Sequence, residues 1–88
     1  MDDYTLKYKM AGSLDATITG KYIYTLLCDL VGASGKIQIS IGKISRMLNI
    51  SRSAVRRNLH KLDESGYIMI HSKRDDDGTR KANVYEIV

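Results

Sequence analysis

Apolar and polar positions alternate at the start of the chain, where Tyr4, Leu6, Tyr8 and Met10 are separated by Thr5, Lys7 and Lys9. A period of two predicts a strand over 4–10 with one buried face, within an N-terminal arm of residues 1–12. Gly12 and Ser13 break the pattern. Beyond them Ile23, Leu26, Leu27, Leu30 and Val31 recur at helical spacing with Tyr22 beside them, predicting a helix over 17–32. Thr17 or Thr19 supplies its cap and Gly32 its stop. After the turn Gly32-Ala33-Ser34-Gly35, the run Lys36-Ile37-Gln38-Ile39-Ser40 alternates again and predicts a short strand over 36–40. Ser40 then fits the N-cap of a second helix over 41–48, with Ile44 and Leu48 turned inward. Asn49-Ile50-Ser51 interrupts the pattern, and Ser51 or Ser53 caps a third helix over 51–65. In it Val55, Leu59 and Leu62 form one apolar stripe, and Gly66 ends it in a left-handed conformation. The strand-like runs 67–74 and 83–88 flank Asp77-Gly78, a strong hairpin signal, so residues 67–88 read as a hairpin. Val55, Leu59, Leu62, Ile44, Leu48, Leu27 and Leu30 are expected to share one core.

The 88 residues allow one domain, 1–88, with one modest core. No apolar run approaches the roughly 18 residues that span a bilayer, and the acidic start Met1-Asp2-Asp3 is unlike a signal peptide. A single cysteine, Cys28, makes no internal disulfide; inside the first helix it reads as a structural thiol and not a nucleophile. These features predict a soluble, cytoplasmic module.

Charge changes the picture once it is located. Residues 1–40 carry four basic and four acidic side chains, so residues 41–88 hold the whole net charge of +4. No acid lies between Asp29 and Asp63, while Lys36, Lys43, Arg46, Arg52, Arg56, Arg57 and Lys61 all fall there. A one-signed stretch spread through ordered elements is the footprint of a polyanion partner.

Two short helices joined by a tight turn, the second cationic, describe a helix-turn-helix. Here they are followed by glycine, strand, charged hairpin and strand. The stretch ISIGKISRMLNISRSAVRRNLHKLDESGYI, with DGTRKANVYEIV after it, resembles the winged helix-turn-helix DNA-binding domains. Within them it is most similar to bacterial transcriptional regulators and plasmid or phage replication initiators. The resemblance covers about residues 17–88. It departs at the turn, where many relatives carry Gly and this chain has Asn49, a residue that also tolerates left-handed geometry. Asp75–Asp77 also place acids at the tip of the wing. The resemblance implies an α+β winged helix-turn-helix: three helices, a small antiparallel sheet and a C-terminal β-hairpin wing, with the N-terminal strand read from alternation ahead of them. It implies double-stranded DNA as the partner, with the third helix in the major groove.

Helical geometry supports the same assignment. At about 100° per residue from Val55, Leu59 falls near +40° and Leu62 near −20°, whereas Arg56, His60, Ser53 and Arg57 lie between about +100° and −160° on the opposite side. Arg52 lies in the first turn, where a recognition helix meets base edges. An arginine fork matches guanine O6 and N7. Lys43 and Arg46 on the second helix, and Lys61 on the third, are expected at phosphates. So are the backbone amides near Ser40 and Ser51. Lys73, Arg74, Arg80 and Lys81 flank the wing and either reach the DNA backbone or minor groove, or pair with the three aspartates.

Other chemistries fit poorly. Counted from Asp75, Glu86 is the twelfth residue of a calcium-loop spacing, but Arg80 stands where that loop needs glycine. His60 and His71 are eleven residues apart, with the only cysteine far upstream, which gives no metal-ligand spacing. No acid/base pair, activated nucleophile or phosphate-binding glycine loop is present, so no catalytic residue, cofactor or metal is expected. Transcriptional control is the leading expectation, with origin recognition by a replication initiator, or a winged-helix protein–protein module, as alternatives. A monomer, or a homodimer through the N-terminal region, is expected.

Overall fold

A computed structural model of the chain describes residues 17–74 and 80–88. The expected strand over 4–10 and the hairpin tip, Asp75–Asp77 included, lie outside the described residues. Within them the elements run α1 (Ile18–Val31), a 3-10 turn (Gly32–Ser34), β1 (Lys36–Gln38), α2 (Ile41–Leu48), α3 (Arg52–Glu64), β2 (Ile68–Arg74) and β3 (Arg80–Ile87).

Each helix begins where a hydroxyl meets free backbone amides. The side chain of Thr17 accepts from the amide of Gly20, Ser40 from Lys43 and Ser51 from Ala54. Such caps satisfy donors that the first turn leaves without a helical partner. Because Ser40 serves as the α2 cap, the strand expected over 36–40 ends at Gln38, although the Ile39 amide still bonds the Asn83 carbonyl at 3.2 Å. The helix ends are equally defined. Asn49 takes the left-handed conformation at φ 56° that the two-helix turn needs, and its amide bonds back to the Ser45 carbonyl. At the end of α3, Gly66 stands at φ 82°, the Gly66 amide bonds the Asp63 carbonyl, and the Tyr67 amide bonds that of Leu62. That pair of bonds is a Schellman closure, which reverses the chain directly into β2.

The sheet is antiparallel in the order β1-β3-β2, so β3 is central. Its register sets Tyr85 between Ile37 and Ile70, and Glu86 between Lys36 and Met69. Alternation then separates the two faces. Tyr85 turns toward the helices and is buried with Ile23, Tyr24, Leu27, Ile39, Ile44, Val55, Leu59, Leu62 and Ile68. On the outer face the His71 Nε2 lies 3.0 Å from Glu86 Oε1, and this hydrogen bond holds the Glu86 carboxyl below its usual range. Tyr24 meets Tyr67 edge-on with ring centroids 6.1 Å apart, pinning α1 over the start of β2.

Several expectations need correction. Leu30 and Leu48 are only partly buried and border the core, and Cys28 is likewise half-buried. Tyr22 is 64% exposed. Asn58, by contrast, is 8% exposed although polar. At about 100° per residue it falls near −60° from Val55, close to the apolar stripe and facing α1. There its Oδ1 accepts from Thr17 Oγ1 at 2.7 Å, while its Nδ2 donates to the Ala54 carbonyl at 2.7 Å. The α1 cap is thereby tied to the middle of α3. Asn58→Ala is expected to lower stability by about 1–3 kcal/mol in urea titration, since a hydroxyl and a carbonyl lose their partner.

Candidate nucleic-acid interface

The capped start of α3 sets the azimuth of every side chain that follows. Val55, Leu59 and Leu62 are 0%, 1% and 2% exposed, which turns Ser53, Arg56, Arg57 and His60 outward, and all four are exposed. Arg56 and His60 border a groove of about 300 Å³ between α3 and the sheet, shared with Ile41, Ser72, Asn83 and Tyr85. A second hollow of about 190 Å³ is lined by Arg56 together with Ser40, Lys81 and Ala82. Among the described residues no carboxylate lines either hollow. The pairing of β2 with β3 is irregular between His71 and Lys73, a bend of the kind that redirects side chains at a strand end, and Ser72 lines the groove there.

Beyond that bend the hairpin has two successive like-charged rungs, Lys73 opposite Lys81 and Arg74 opposite Arg80. Cations directly opposite one another destabilise an isolated sheet. Lys73 and Lys81, both exposed, add to the cationic side chains that α3 presents.

The remaining basic residues do not converge on one spot. Arg52 leans back onto α2: a Cβ at Gly42 would stand 3.0 Å from its Nη2 and 3.3 Å from its Cζ. Lys43 is exposed beside a different hollow, with Leu30, Ile37 and Met47. Arg46 is exposed in the last turn of α2. Lys61 lies on the flank of α3 toward α1, lining a small cleft with Thr17, Asn58 and Glu64. Ser51 has its Oγ accepting the Ala54 amide at 3.1 Å, so its role in the fold is that of a cap.

Sequence reasoning passed over Asn83 and Ser72 as groove residues. The signal for Asn83 was available, because alternation back from Tyr85 puts it on the inward face. Its Oδ1 is buried without a hydrogen-bond partner among the described residues, and its Nδ2 lies 3.4 Å from the Tyr85 hydroxyl. Among the described residues no group of three or more His, Cys, Asp or Glu side chains is arranged to hold a metal, and no helix is long and apolar enough to cross a membrane.

Comparisons with known proteins agree with this geometry. A family model described as an HTH domain matches residues 33–78, from the 3-10 turn through α2, α3 and β2. No curated protein matches the chain. Among solved structures, one described as a possible transcriptional regulator from Methanosarcina mazei Go1 is similar at 20% identity and a TM-score of 0.65, with 99% of this chain and 67% of that chain covered. At that identity the likeness concerns the fold.

Proposed function

The chain belongs to the HTH-domain family, and from that membership we propose that it binds double-stranded DNA as a regulator of transcription. In this reading α3 enters the major groove and the hairpin lies along the flanking backbone. One observation carries it. Two neighbouring hollows beside α3 are bordered by cations from two elements, Arg56 of α3 in both and Lys81 of β3 in the second, and among the described residues no carboxylate lines either. A site of that charge, open and flanked by an exposed cationic helix face, suits a phosphate-lined partner better than a small neutral ligand. Arg56, Arg57, His60 and Ser53 are the side chains we assign to base edges. Lys43, Arg46, Lys73, Arg74, Arg80 and Lys81 are assigned to phosphates, and Lys61, on the other flank of α3, is at most a peripheral contact. The protein acts here as a binding protein, and no catalytic step is invoked.

Readout and positioning leave different signatures. On a duplex recovered from a randomised library, Arg56→Ala or Arg57→Ala is expected to cost about 1–3 kcal/mol and to relax preference at one base position. Lys43→Ala is expected to weaken binding to every duplex alike and to lower the salt slope by about one. If all three substitutions acted uniformly across a panel of duplexes, α3 would be gripping phosphates alone.

A further inference from the structure

Gly42 lies inside α2, where a residue without a side chain is a poor helix former. Its backbone does not require glycine, because its φ is not in the left-handed region. What occupies the space is Arg52. A Cβ at position 42 would stand 3.0 Å from Arg52 Nη2, 3.3 Å from Cζ and 3.4 Å from Nε, so the flat guanidinium covers the place where that Cβ would be. Those separations are tighter than an ordinary van der Waals contact. The guanidinium is the free end of a flexible chain and would give by a few tenths of an ångström, leaving the fold intact.

The position of Arg52 on its own helix explains the direction of the lean. At about 100° per residue it falls near +60° from Val55, on the flank nearest Arg56 and well away from Ser53 and Arg57. Arg56, one turn later, lines the hollow containing Ser40 and Ile41, next to Gly42. Two guanidinium side chains from consecutive turns of α3 thus overlie consecutive residues at the start of α2, in a stretch without any acid from Leu30 to Leu62. An acid-free cationic edge of this kind favours an anionic partner. In a helix-turn-helix the helix before the recognition helix crosses the DNA backbone. A guanidinium laid against α2 is therefore at the groove edge, where the phosphates run, and away from the base edges.

We propose that Gly42 is a positioning residue, and that by leaving its Cβ space empty it holds Arg52 for a DNA phosphate and withholds it from the bases. This rests on the DNA-binding reading above and refines it, since Arg52 was expected from sequence at a base edge.

The test is a double-mutant cycle on the full chain, titrating the library-selected duplex and a random duplex over a range of salt. Arg52→Ala is expected to weaken both duplexes by the same factor, about tenfold, the scale of one charge-assisted contact, and to lower the salt slope by about one. Gly42→Ala, which displaces the guanidinium without removing its charge, is expected to weaken both duplexes by a smaller common factor. The double variant is expected to bind no more weakly than Arg52→Ala alone. Thermal melting of Gly42→Ala is expected at or above that of the parent chain, because alanine is the better helix former. A stability change and a binding change of opposite sign could not come from a merely structural role. Wild-type affinity in Gly42→Ala, additive effects in the double variant, or a relaxed preference at a single base in Arg52→Ala would each overturn the assignment while the DNA-binding reading stood. If the parent chain showed no salt-dependent duplex binding, the reading itself would fall and take the assignment with it.

Discussion

Leu59→Ala is expected to cost about 2–5 kcal/mol of unfolding free energy, measured by denaturant titration. Leu59 is 1% exposed and sits midway along the buried stripe of α3, between Val55 and Leu62. On its other side the groove brings it near Ile70 and Tyr85 of the sheet. Truncation therefore removes contacts to both layers at once, and neither layer can close the cavity without moving the other. The loss is large relative to the whole. At about 0.05–0.15 kcal/mol per residue, a chain of 88 residues has roughly 4–13 kcal/mol of stability. A cost below about 1 kcal/mol would mean that α3 does not turn its stripe inward.

Raising salt from 50 to 200 mM is expected to weaken binding to duplex DNA about a thousandfold, corresponding to a slope of log K on log salt near −5. The slope follows from the cations assigned to the DNA backbone on α2, at the start of α3 and on the hairpin, of which about five meet phosphates, each releasing nearly one counterion. Burial does not remove Lys43, Arg46, Arg52, Lys73 or Lys81 from solvent, because all five are exposed. Fluorescence anisotropy on labelled random duplex measures the slope directly. A protein-interaction module of the same fold predicts no binding to random duplex at physiological salt and a flat response. That outcome would exclude the DNA reading.

The parts of this fold legible in the sequence were those written by local periodicity. The stripe of α3 and the boundaries of α2 follow from spacing and from hydroxyl caps, because a helix buries one face and leaves its first amides free. The core was legible only in part. Ile23, Tyr24, Ile39, Ile68 and Tyr85 complete it, and Tyr85 became its centre only through strand order, which periodicity does not contain. The burial of Asn58 was not legible, because its polar type does not mark it and its partner Thr17 is 41 positions away. The cationic face of the candidate site was legible for the same reason as the stripe, being its geometric complement. The lean of Arg52 was not, since it arises from a vacancy at Gly42 on a different helix.

The sheet order has a consequence for the timing of synthesis. Among the described residues strands β1 and β2 do not pair with each other, and each pairs with β3. While the chain is being made, the three described helices and both outer strands emerge before the strand that links them. Until then Ile37, Ile68 and Ile70 lack the Tyr85 side chain that completes their layer, and two strands present unpaired edges. A nascent chain extending to Arg74 thus contains the whole helix-turn-helix without the layer it packs on, and is most prone to mispairing with another strand. Addition of residues 80–87 closes two ladders together, so completion of the core coincides with the last stretch of translation of this region.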